Sequence, residues 1–208
     1  MAKWLGDDTA SARGRLTLNP IPHVDPIGTL LVPGAMALFG GPIFGWAKPV
    51  PVNQLRLNNP RYGMMAVAAA GPGINFVIAL FAVVLYGLIA PADLSFGTGE
   101  TMLLTDSGGD VRPLSTMLFF SILINIFLGL FNLPPIPPFD GSHIVGGLLP
   151  KALRAQWRKL QQVGMFLLIA VIAGSWAFGT GWIAQIVMPP VEWMMGHYLD
   201  IAQWVGGF

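Results

Sequence analysis

The sequence predicts an all-α polytopic membrane protein with three spanning helices, one re-entrant or broken apolar segment and a C-terminal interfacial helix. Three observations carry that prediction. Of the 208 residues, 54% are hydrophobic and only 10% are charged, against roughly 25% charged in ordinary soluble domains. Four apolar segments follow one another, at residues 27–46, 63–90, 115–133 and 163–188, each near the roughly 20 residues that cross a hydrocarbon core. The loops between them differ sharply in charge. The chain therefore reads as one membrane-embedded domain, 1–208, with 1–26 as an arm on the cytoplasmic side and 189–208 as the interfacial helix.

The first segment, 27–46, is flanked by positive charge on both sides: Lys3, Arg13 and Arg15 before it, and Lys48, Arg56 and Arg61 after it. Positive charge marks the cytoplasmic face, so a segment with both flanks basic is expected to return to the side it left. Pro33-Gly34 and Gly40-Gly41-Pro42 interrupt it as well, which an isolated lipid-facing helix tolerates poorly. A kinked spanning helix is the alternative. Next, Lys48 to Asn53 alternates two prolines with valines, and each proline pushes the preceding residue toward extended geometry. Such a stretch is either a plain cytoplasmic loop or an exposed edge able to hold another chain as a strand.

The second segment opens with alanines, Gly71, Pro72 and Gly73, small residues that let helices approach, and they read as a packing face. Asn75 is different, because a carboxamide in an apolar helix needs partners. Asn125 and Asn132 raise the same question, with Asn125 read as knitting helices together. The following loop carries Asp93, Glu100, Asp106 and Asp110 against Arg112, whereas 151–159 carries Lys151, Arg154, Arg158 and Lys159. The acidic loop is thus predicted outside and the basic loops inside.

The third segment ends in the most informative stretch of the chain. Four prolines between Leu133 and Phe139 must break the helix, and Asp140 follows directly. An ionisable group at the edge of hydrocarbon is costly, so a cation, a proton path or a metal is expected to use it. Otherwise it is a turn carboxylate bonded to nearby amides. His143 stands three residues further on, one helical turn away if a helix resumes. His23 lies in a turn-rich stretch at the mouth of the first segment, where it either supports or gates a site or simply bonds Asp25. His197 is interfacial in this reading. In 189–208, Glu192, Gly196, Asp200 and Gln203 share one helical face, as in a helix lying on a bilayer.

Some classes are excluded outright. Without cysteine there is no disulfide, no thiolate metal site and no cysteine nucleophile. A net charge of +1, with no basic residues interleaved among aromatics, gives no case for nucleic acid as a partner. A carrier using Asp140 as a cation or proton site, or a scaffold that binds membrane segments without cutting them, remains open. The internal repeat many carriers show is not found, since the regions around Gly71 and Asn132 do not mirror each other.

Asn132 to Gly141 resembles the Asn-Pro-Asp-Gly signature of the site-2 proteases, the intramembrane zinc metalloproteases of peptidase family M50. The resemblance extends through Gly6-Asp7, Thr9-Ala10, Gly14 to Pro20, His23, Asp25 to Gly28, Gly45 to Asn53 and Gly71-Pro72 with Asn75. It covers most of the chain up to about Leu149. The resemblance implies zinc-dependent cleavage of membrane-spanning segments in a bacterial cell membrane, with the site toward the cytoplasm. It implies Asp140 as a zinc ligand, and Asn75 and Asn132 as groups for substrate backbone or a developing oxyanion. His23 and His143 would stand behind the ligands.

One departure matters as much. The family carries His-Glu-x-x-His on a membrane helix, two ligands and the base that activates water, and this sequence has no such motif; its glutamates are Glu100 and Glu192. The resemblance places that helix just before the segment resembling residues 1–7, so the catalytic glutamate is expected upstream of Met1 and the 208 residues alone are expected to be inactive. A genuine short product, a pseudoprotease, is the alternative.

Overall fold

In the computed structural model, residues 1–17, 19–40, 45–90, 94–96, 102–179 and 181–207 are described. Their α-helices are α1 (Thr9–Ala12), α2 (Val32–Leu38), α3 (Pro60–Ile89), α4 (Pro113–Asn132), α5 (Asp140–Leu148), α6 (Lys151–Ala177) and α7 (Trp182–Gly206). Two of these, α3 and α4, are long and apolar enough to cross a membrane, each with a mean hydropathy of 2.2. Both open on proline, whose fixed φ suits a first helical position and whose missing N–H costs nothing there. The chain divides into two units, Met1–Ala68 with Ser142–Gly181 and Ala69–Gly141 with Trp182–Phe208.

The second unit is built on α3, α4 and α7. Ala79, Ala82, Val83 and Tyr86 from α3, Ile122 and Ile126 from α4, and Val191, Met195 and Ala202 from α7 form its core. The hydroxyl of Tyr198 donates to the carbonyl of Phe76 at 3.2 Å, tying α7 to α3. The acidic loop folds back as β1 (Ser95–Phe96) against β2 (Leu104–Thr105), antiparallel with Ser95 opposite Thr105. Thr116 anchors it: its hydroxyl accepts from Leu104 N–H at 2.9 Å and donates to Arg112 C=O at 2.9 Å. In the following turn, hydrogen bonding from the Arg112 guanidinium, then from the Asp110 amide, holds the Asp106 carboxyl below the usual carboxylate range.

Two sequence expectations change here. The span read at 163–188 is divided between α6 and α7, because the chain turns at Gly179 and Gly181, both at positive φ (60° and 58°), a conformation that side chains disfavour. The helix read as purely interfacial, 189–208, begins instead at Trp182, and its stripe of Val191, Met195 and Ala202 is buried against the unit's core. Its opposite face does carry Glu192, Gly196, Asp200 and Gln203, all exposed.

In the first unit the segment 27–46 leaves as a helical piece and comes back extended. Asp25 caps a π-helical turn, Pro26–Leu31, accepting from the Ile27 and Gly28 amides at 2.9 and 3.0 Å, and α2 continues it to Leu38. At 1.5 Å per residue the combined helical piece is about 20 Å long, short of the roughly 30 Å hydrocarbon core. The returning chain bonds its own start: Trp46 N–H to Gly28 C=O at 2.9 Å and Lys48 N–H to His23 C=O at 2.9 Å. Gly41 and Pro42 of the expected interruption lie outside the described residues.

Residues 45–53 form neither helix nor strand, in keeping with the prolines at 49 and 51. The N-terminal arm clasps them. Arg15, buried, donates to the Lys48 and Pro49 carbonyls, both at 3.1 Å, and Asp7, also buried, accepts from Asn53 N–H at 2.7 Å and from Thr9 N–H at 3.0 Å. The Thr9 hydroxyl also donates to Asp7; chiefly through that bond, the Asp7 carboxyl is held below its ordinary pKa.

Ile126 is fully buried in α4 whereas Ile124 is 51% exposed. Ile126→Ala is expected to destabilise the second unit by about 2–4 kcal/mol and Ile124→Ala by under about 1 kcal/mol, following the cost of deleting buried methylenes. Denaturant unfolding in detergent, followed by far-UV circular dichroism, checks the difference.

Candidate functional site

The helix break falls where the prolines demand it. α4 ends at Asn132, and Leu133 N–H closes the last turn onto Leu130 C=O at 3.1 Å. Pro134, Pro135, Pro137 and Pro138 follow with no amide hydrogens to give, and the Pro137–Pro138 peptide is cis. Phe139 packs edge-on against Phe131, ring centroids 4.8 Å apart, and Phe131 stacks on Phe127 at 5.3 Å. These rings pin the broken segment to the end of α4. A new helix then starts at Asp140 itself. The chain can fold back this closely because Gly141 lies against the Leu133 and Pro134 carbonyls, where a Cβ would clash with backbone.

Asp140 is therefore the first residue of α5, where the helix dipole favours its ionised form by about 0.3–1 kcal/mol. It is half-buried. Across from it stands Gly71 of α3: a Cβ built there would lie 2.8 Å from Asp140 Oδ2. The sequence reading took Gly71 as mere packing surface, but its missing side chain makes room for this carboxylate. Asn75 lies four residues along α3 from Gly71, on the same helical face. Half-buried, its carboxamide makes no hydrogen bond among the described residues.

The other candidates separate. Asn132, half-buried, donates from Nδ2 to Leu128 C=O at 2.9 Å, which spends one of its two amide hydrogens. Asn125 does the same toward Ser121 at 2.8 Å, so it bonds its own helix instead of knitting two helices together. His23 faces the Thr17 carbonyl, Nε2 at 3.3 Å, while Asp25 is engaged as the cap; the expected His23–Asp25 bond is replaced by these two contacts. His143 follows Asp140 by one turn of α5, as a resumed helix requires. Its Nδ1 lies 3.3 Å from Gln161 Nε2 in the first unit. His197 is exposed and stacks on Trp193, with ring centroids 4.4 Å apart.

Whether these residues fit a metal can be judged from the donor set. Among the described residues no three His, Cys, Asp or Glu side chains come together, whereas a hydrolytic zinc centre needs three protein ligands and one open position. Asp140 is a single carboxylate. The chain by itself does not fit a complete zinc site.

Comparison with known proteins agrees with the motif. The sequence model of the family described as Peptidase family M50 matches residues 26–172. A protein of Bacillus subtilis (strain 168) named "Putative zinc metalloprotease YwhC" is similar to this chain, with 39% identity over 173 residues that cover 82% of this chain and 70% of that protein. No solved structure matches.

The absence of cysteine allows a direct test of the Gly71–Asp140 contact. The double variant Gly71→Cys/Asp140→Cys is expected to form a disulfide under mild oxidation, since a Cβ at Gly71 would lie 3.8 Å from Asp140 Cγ, near where the sulfur of the substituted cysteine would sit. Gly73→Cys/Asp140→Cys is expected to keep both thiols, because nothing lies within 4 Å of a Cβ at Gly73. Thiol titration of the two variants reads the outcome.

Proposed function

The chain belongs to peptidase family M50, and from that premise we propose that it is the membrane-embedded part of a zinc-dependent site-2-type endopeptidase that cuts membrane-spanning segments of other proteins. The observation that carries the reading is the Asp140 carboxylate, set at the start of α5 by a proline-broken helix and accommodated by Gly71. In this reading Asp140 is one zinc ligand. Two histidine ligands and the proton-accepting glutamate belong to a His-Glu-x-x-His helix that is not among the 208 residues, so these residues alone are inactive. When bound in such a site, zinc supplies an acidified water.

The remaining roles fall to this chain's own side chains. Asn75 offers an unspent carboxamide to the substrate backbone or the developing oxyanion, and Asn132 offers what Leu128 leaves free. His23 and His143 are assigned supporting places and no ligand role. The stretch 45–53 exposes Val50 by 46%, and among the described residues the Val50 and Val52 amides have no hydrogen-bond partner, which suits pairing with an unwound substrate strand. In this reading the site faces the cytoplasm of a bacterial cell membrane, which the basic flanks favour, and 27–46 re-enters from that side.

In a form of the protein that carries the His-Glu-x-x-His helix, Asp140→Asn is expected to lose most bound zinc and nearly all cleavage of a membrane-segment substrate, because a neutral amide is a poorer ligand. His143→Ala should keep most of its zinc. The 208-residue chain alone, measured by elemental analysis after dialysis against a weak chelator, should hold no stoichiometric zinc; if it does, the ligand assignment is wrong.

Topology is tested separately with single cysteines. Ser107→Cys should react with an impermeant thiol reagent in intact cells, whereas Asn58→Cys and Gln156→Cys should react only after permeabilisation. Labelling of Asn58→Cys from outside would remove the re-entrant reading of 27–46.

A further inference from the structure

Basic residues near a membrane set topology, and where they line a pocket they also recognise anionic headgroups. In the first unit Arg61, Lys151, Arg154 and Arg158 line one cavity of about 480 Å³. Lys151, Arg154 and Arg158 recur every three or four residues along α6, so they share one helical face. No carboxylate lines the cavity, and the ion pairs among the described residues, Arg56 with Asp8 and Arg112 with Asp106, involve none of these four cations. Four like charges around one volume repel one another, and a bound anion relieves that repulsion.

The cavity has fixed and free contacts. Arg61 donates from Nε to the Gly147 carbonyl and from Nη2 to the Leu148 carbonyl at 3.3 Å, and Arg154 Nε donates to Leu149 C=O at 3.0 Å. Those carbonyls end α5, and their bonds hold two guanidinium groups in place before any ligand arrives. The Lys151 and Arg158 side chains are exposed and make no hydrogen bond or ion pair among the described residues, so their charge is uncommitted. The apolar part of the wall comes from Leu55, Met64 and Trp157. A fixed cationic cluster beside apolar surface suits an amphiphile better than a fully hydrated ion or a wholly polar acidic peptide.

We propose that this cavity binds the phosphate of an acidic phospholipid headgroup, with Arg61 and Arg154 as its preset contacts and Lys151 and Arg158 closing on it. Its four basic contacts take no part in the hydrolysis proposed above and need no metal, although His143 also lines the cavity. It gives Lys151, Arg154 and Arg158 a ligand, where the sequence reading saw only a topology marker.

The test uses the purified 208-residue chain in detergent with a mixture of phosphatidylglycerol and phosphatidylcholine, read by native mass spectrometry. The chain should retain one phosphatidylglycerol with roughly tenfold preference over phosphatidylcholine, as expected of a few cooperating basic residues. Lys151→Gln/Arg158→Gln should retain the two lipids equally. Lys3→Gln/Lys159→Gln removes the same charge outside the cavity and should behave as the parent chain, with unchanged far-UV circular dichroism in both variants. Millimolar inorganic phosphate should leave the lipid in place. Equal retention of the two lipids by the parent chain, leaving an acidic peptide as the ligand, would overturn the proposal; so would an equal loss in both variants, or displacement by phosphate, which would mark a site for the free anion.

Discussion

Everything placed at the candidate site depends on one conflict, between a helix that must end and a carboxylate that must not be left in hydrocarbon. The four prolines after Leu133 remove amide donors over a whole turn, so α4 cannot continue. Asp140 resolves the conflict by opening α5. An ionised aspartate at the centre of a spanning helix costs about 2.5–3.5 kcal/mol, and the dipole of a new helix returns about 0.3–1 kcal/mol. The dipole alone does not close that gap. In the reading proposed above, a cation bound by the carboxylate supplies the remainder.

The same logic explains why glycine stands where it does. The carboxylate needs space as well as charge compensation, and α3 provides it at Gly71, where any side chain would meet Asp140 Oδ2. Gly141 provides the other clearance, letting the chain double back past two carbonyls. Neither residue contributes chemistry. Both set where the one acidic group can be, and Asn75 lies one turn beyond Gly71 on the same face.

Much of this was legible in the sequence because prolines, charges and long apolar runs act locally. The break before Asp140 and the resumption of a helix that sets His143 one turn on follow from residue chemistry within a few positions. What was not legible depends on backbone conformation or on partners far along the chain. Hydropathy averages over 163–188 and cannot see that Gly179 and Gly181 take left-handed φ, so one span was read where α6 ends and α7 begins. Gly71 reads as packing surface until Asp140 is placed against it, and Asn125 reads as a bridge until its bond to Ser121 shows it serving its own helix. The periodicity of Lys151, Arg154 and Arg158 was available, yet only folding brings Arg61 to the same cavity.

That cavity bears on α5 as a structural element. A nine-residue helix is about 13 Å long, and this one is defined at its start by the proline break and at its end by the guanidinium groups of Arg61 and Arg154 on its last carbonyls. Carbonyls at a helix C-terminus lack intrahelical partners and attract cations, so the arginines stabilise the short helix whether or not a ligand is present. A nine-residue helix is too short to persist on propensity alone. The first residue of α5 carries the carboxylate, and the persistence of that helix, hence the setting of Asp140, draws on basic residues that by themselves would seem to mark only which side of the membrane they face.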